Sequence, residues 1–91
     1  MPKIAVLAHV TGRVQGVWFR AWTKAEADER TLSGWVRNEA DGSVTALISG
    51  PEAEVAGMVA ALHDGPPAAR VSDVTTEPCE PPSKPGFRIL R

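Results

Sequence analysis

Residues 34–49, GWVRNEADGSVTALIS, decide the fold. Two runs of strand-forming residues, Gly34–Glu39 and Ser43–Ser49, flank Ala40-Asp41-Gly42. Asp and Gly tolerate the backbone of a tight turn, so the stretch reads as an antiparallel hairpin. In the second run Val44, Ala46 and Ile48 alternate with Thr45 and Leu47, the period of a strand with one face on a core.

A helix pattern lies on each side of this hairpin. Upstream, a helix from about Val17 to Arg30 places Phe19, Thr23 and Ala27 at steps of four on one face. Downstream, Gly50-Pro51 opens a second helix with Pro51 at its first helical position, where the missing N–H costs nothing. Glu52 and Glu54 complement its dipole, and Val55, Met58, Val59 and Leu62 form its apolar stripe. Gly65-Pro66-Pro67 ends it. Lys3–Thr11 reads as a strand buried on at least one face, Arg70–Glu77 as a fourth, weaker strand, and Gly86–Arg91 as a short terminal one. The order βαββαβ implies an α+β, ferredoxin-like sandwich, with both helices on one face of an antiparallel sheet.

The 91 residues suit one domain spanning 1–91. Such a chain buries roughly 60–70% of its unfolded surface, enough for one modest core and a shallow site. Ten Lys+Arg against 11 Asp+Glu provide no electrostatic footprint for nucleic acid or an anionic membrane. No segment approaches the ~18 apolar residues of a membrane span, and the N-terminus lacks a signal-peptide pattern, so a cytoplasmic protein is expected. The single cysteine, Cys79, reads as an unreactive thiol in a Pro-rich connector.

The chemistry concentrates in Gly12–Arg20, GRVQGVWFR. Two glycines bracket a turn between strand and helix. Such a turn gathers backbone N–H groups beside the unpaired amides of a helix start, which suits an anion. Arg20 follows, with a planar fork that matches phosphate oxygens. Neither a Walker A loop nor GxGxxG is present, so no bound nucleotide is implied. On spacing alone an ordinary turn and a solvated arginine remain open. Asn38, at the end of a strand, is open likewise between turn chemistry and holding a water. His9 and His63 form no ligand pattern with Cys79 or the carboxylates.

Gly12–Arg20 and Gly34–Val44, GWVRNEADGSV, both resemble signature segments of the acylphosphatase family. The Gly-Pro helix start, the GPPAARV stretch at Gly65–Val71 and the FRI ending are similar as well. The resemblance implies metal-independent hydrolysis of a small-molecule acyl phosphate by a positioned water, with no cofactor and with inorganic phosphate or sulfate as product or mimic. It implies that Arg20 binds the phosphate and Asn38 orients the water. Arg13, Val14, Gln15, Gly16 and Val17 then form the phosphate cradle, mainly through backbone amides, with Gln15 bracing the loop. A monomer is expected. Where the family often carries Gly-Leu before the second segment, this chain has Arg30-Thr31-Leu32-Ser33, which bears on the end of the first helix. Trp18 and Trp22 are expected to pack or to form a partly exposed rim, the alternative for Trp18 being that it shapes which acyl group is accepted. A contact of the Arg91 carboxylate with Arg20 is a further expectation.

Other readings compete. A non-catalytic phosphate-binding regulatory module would keep the loop and Arg20 but has no need of Asn38. An RNA-binding domain of similar order would display aromatics on its central strands, and the third strand has none. The same motifs would also serve a carbamoyl-phosphate-handling domain of a larger maturation protein, whereas a stand-alone domain is expected here.

Overall fold

The computed structural model describes residues 3–90. Its elements are β1 (Lys3–Arg13), α1 (Phe19–Glu29), β2 (Ser33–Asn38), β3 (Val44–Pro51), α2 (Glu52–Asp64), β4 (Arg70–Pro78) and β5 (Phe87–Ile89). The sheet order is β4-β1-β3-β2-β5, with two helices packed on it in the expected ferredoxin-like arrangement. The four long strands pair antiparallel. The sheet as a whole is nevertheless mixed, because β5 joins the edge strand β2 in parallel, Gly34 opposite Phe87 and Val36 opposite Ile89.

Strand parity builds the core. Ala8 and Val10 of β1, Val36 of β2, and Val44, Ala46 and Ile48 of β3 are fully buried beneath the helices. From above, α1 contributes Phe19 and Ala27, and α2 contributes Val55, Met58 and Leu62, all to one cluster. Thr23 lies on the buried face of α1 and is kept there by its hydroxyl, which donates to the Phe19 carbonyl at 2.8 Å. Trp22 packs on this cluster, its ring 5.4 Å from that of Phe19 and tilted. β3 is buried on both faces, Thr45 and Leu47 included, because it is the middle strand and long side chains flank it on both sides.

The helix ends differ from expectation. Pro51 is the N-cap of α2 rather than its first helical residue, and it also closes β3 opposite Lys3. Its φ of −58° serves both roles, with ψ 140° leaving the chain still extended. At the other helix, Thr31 takes the left-handed position after the Arg30 cap, with φ 57°. Its N–H donates to Asp28 O at 3.0 Å, and the Leu32 N–H donates to Ala27 O at 2.9 Å. Those two bonds are a Schellman motif, in which glycine is the usual left-handed residue. The glycine missing from residues 30–33 is therefore replaced by a β-branched residue in a strained conformation.

Candidate functional site

β1 carries the chain to the site. Its register on β4 shifts between Thr11 and Gly12, a bulge that turns the strand's end. Gly12 has φ 122°, and a Cβ there would lie 2.2 Å from the Arg70 carbonyl oxygen, so the close approach of β4 requires glycine. Arg13 still belongs to β1, exposed and paired with Arg70. Beyond it, Val14 and Val17 plug into the core at 1% and 5% exposure. Gly16, at φ 73°, turns the chain between these two anchors. Among the described residues, no amide from Val14 to Trp18 donates to a protein acceptor. The loop is therefore pinned by apolar side chains and presents a run of unpaired N–H groups, the condition for an anion cradle.

Gln15 ties this loop to the hairpin. Its Nε2 donates to Glu39 O at 2.8 Å and to Ser43 O at 2.9 Å. Both carbonyls face inward at the hairpin neck, where Glu39 N–H also donates to Ser43 O at 2.8 Å. Strand pairing accordingly stops one pair earlier than expected, at Asn38 opposite Val44. The turn is closed by Asp41, which accepts from the Ser43 N–H at 2.9 Å and from the Ser43 hydroxyl. These bonds hold the Asp41 carboxyl below its ordinary value. The Arg37 Nε–H, which donates to Glu39 Oε2 at 2.8 Å, does the same for Glu39.

Asn38 shares the parity of buried Val36, so β2 aims it toward the helix layer and not toward the open face of the sheet. It meets there the start of α1. A hollow of about 550 Å³ is lined by Val14 and Gly16 from the loop, Arg20 and Ala21 from α1, and Asn38 from β2. Trp18, Phe19 and Ile89 complete its wall. Among the described residues, Asn38 Oδ1 is the one buried side-chain oxygen or nitrogen with no hydrogen-bond partner. Native proteins rarely leave such an atom unsatisfied, at a cost of about 1–3 kcal/mol, unless a ligand or water completes it. Arg20 is half-buried, and its Nη1 donates to the Leu90 carbonyl at 3.4 Å, which holds the guanidinium against the chain end beside β5.

Of the residues singled out in the sequence, Val14, Gly16, Arg20 and Asn38 line the hollow together. Arg13, Gln15 and Val17 do not line it; they pair with β4, brace the hairpin and anchor the loop. The expected partner of Arg20, the Arg91 carboxylate, lies outside the described residues; among the described residues the Leu90 carbonyl accepts from Arg20. Ile89 was missed, because a three-residue strand carries no sign of which edge it joins. His9 bonds Thr45 across the open face, and His63 bonds the Val59 carbonyl on α2, so neither reaches the site. Cys79 is half-buried, and burial followed by Glu77 and Glu80 raises its pKa, the state of an unreactive thiol. Among the described residues, no three His, Cys, Asp or Glu converge as a metal site, and no helix is long and apolar enough to cross a membrane.

The acylphosphatase family model matches residues 6–89, which include the loop, Arg20 and Asn38. The chain belongs to the acylphosphatase family. It is 54% identical to an acylphosphatase of Rhizobium meliloti over 96% of this chain and 93% of that protein. An acylphosphatase structure from Bacillus subtilis is 37% identical and superposes with a TM-score of 0.91, covering 97% of this chain and 99% of that one. One from Coxiella burnetii is 33% identical with a TM-score of 0.92, covering 97% and 93%. These acylphosphatases share the whole fold, so the loop, α1 and the β2 end meet in the same architecture.

Proposed function

We propose that this acylphosphatase hydrolyses acyl phosphates by direct attack of a water that Asn38 positions on a phosphoryl group held by Arg20 and the loop amides. The observation that carries this reading is Asn38, which lines the hollow beside Arg20 and whose buried Oδ1 has no protein partner. A module that merely bound anions would have no use for that atom.

The chemistry needs little else. The phosphoryl group passes through a transition state with negative charge spread over its equatorial oxygens. The Arg20 fork and the loop amides at Val14 and Gly16 hold that charge. Asn38 Oδ1 accepts a hydrogen bond from the water and so aims its lone pair at phosphorus. The new P–O bond forms as the bond to the acyl oxygen breaks, and the carboxylate leaves with the electron pair. A carboxylate is a good leaving group with a low pKa, so no general acid is required. The water's proton passes to a phosphate oxygen, giving carboxylate and inorganic phosphate without a covalent enzyme intermediate. The reading calls for no metal and no cofactor, and it works in a monomer, since every group comes from one chain.

The test is hydrolysis of benzoyl phosphate by the purified protein in EDTA and ¹⁸O-labelled water. Turnover with the label in inorganic phosphate is expected. Label in benzoate would overturn attack at phosphorus. Absence of turnover by folded protein that still binds phosphate would favour the regulatory module.

A further inference from the structure

The described residues include two large hydrophobic side chains that are well exposed, Trp18 at 83% and Ile89 at 40%. Both line the hollow that holds Arg20 and Asn38. They come from opposite ends of the chain, one from the N-cap of α1 and the other from β5. Exposed apolar side chains scattered over a surface need no explanation, but here both stand at one site.

Trp18 is also held in place by an unfavourable backbone. Its φ is 64° and its ψ 24°, the left-handed region, which a bulky residue rarely adopts. Such strain gathers at ligand sites, where the surroundings over-determine it. Among the charged side chains of the described residues, Arg20 alone lines the hollow, and the apolar Phe19, Ala21 and Ile89 line it too. The site therefore has one cationic region, for the phosphoryl group, and one apolar region beside it.

We propose that Trp18 and Ile89 form an acyl-group subsite that selects substrates with apolar, above all planar aromatic, acyl groups over small or anionic ones. The inference rests on the acyl phosphate reading above and adds the substrate class. An aromatic acyl group stacks on the exposed indole face and covers Ile89. A second negative charge on the acyl part meets no second cation among the described residues of the wall. Covering about 50 Å² of apolar surface is worth roughly a factor of ten in binding.

The experiment compares kcat/KM for benzoyl phosphate and acetyl phosphate in the wild type, Trp18→Asn, Trp18→Phe and Ile89→Ser. Asn is chosen because it tolerates the left-handed backbone while removing the apolar face. The wild type is expected to prefer benzoyl phosphate. In Trp18→Asn the benzoyl-to-acetyl ratio should fall about tenfold through KM, with a smaller fall in Ile89→Ser, and Trp18→Phe should retain most of it. An equal loss on both substrates would mean that Trp18 serves the loop's structure, and an unchanged ratio would mean that the acyl group does not touch it. Either result overturns the subsite while leaving hydrolysis itself intact. A wild type that hydrolyses neither substrate would instead overturn the acyl phosphate reading beneath it.

Discussion

Gln15 offers a test of how the cradle is held to the hairpin. Its amide makes two hydrogen bonds, at 2.8 Å to Glu39 O and 2.9 Å to Ser43 O. Replacement by Met keeps the length and apolar body of the side chain and removes both donors. A neutral hydrogen bond contributes about 1 ± 0.5 kcal/mol net. The larger cost of orphaned carbonyls does not arise, because Ser43 O keeps the Glu39 N–H and Glu39 O keeps the Gly42 N–H. Gln15→Met should therefore cost about 1–2 kcal/mol, which in a domain of this size lowers Tm by about 5–15 °C. Gln15→Glu should be worse, since a carboxylate oxygen would face two carbonyl oxygens at hydrogen-bond distance. Thermal unfolding by circular dichroism measures both. Benzoyl phosphate kinetics on the same samples should show a lower kcat at temperatures where each variant is fully folded, because the loop and Asn38 lose their common strut. A Gln15→Met variant as stable as wild type, or Gln15→Glu no worse than Gln15→Met, would refute the brace.

Two further outcomes concern stability. Thr31→Gly should raise stability by about 1 kcal/mol, because it relieves a left-handed β-branched residue in the Schellman turn, and denaturant unfolding would register it as a higher midpoint with unchanged slope. Acid should weaken the hairpin. The Asp41 and Glu39 carboxyls are held below their ordinary values of 3.8 and 4.5, so their contribution is present above those values and is lost as pH falls through the lower folded ones. Asp41→Asn should flatten that acid limb in a pH series of thermal melts; a limb of unchanged steepness would place the acid sensitivity elsewhere.

Much of this was legible in the sequence because local rules and tertiary packing agree. The Asp41-Gly42 turn and the Phe19, Thr23 and Ala27 face follow from spacing and survive in the fold, whereas the alternation in β3 does not show as burial, because its central place in the sheet covers Thr45 and Leu47 as well. Arg20 and Asn38 were marked only by the resemblance of their two segments to the family's signatures, because on spacing alone a solvated arginine and a turn asparagine read the same way. What stayed hidden depends on long-range pairing. Nothing in Phe87–Ile89 says that it joins β2 in parallel, and without that pairing neither Ile89 nor the Leu90 carbonyl comes to the site. The loop residues hid a division of labour too. Val14 and Val17 read as cradle amides, but their side chains are core anchors that make the loop rigid. Trp18 adopts a backbone that its type disfavours, so propensity could not anticipate it.

The central claim is that Asn38 positions the attacking water while Arg20 and the loop hold phosphate. The most direct measurement is kcat for benzoyl phosphate in Asn38→Ala, taken together with competitive inhibition by inorganic phosphate. Loss of one positioned group costs ~100–1000-fold in kcat. The account predicts a fall of that order, with the inhibition constant of phosphate nearly unmoved, because the anion's own ligands remain. A variant that keeps full kcat would contradict it.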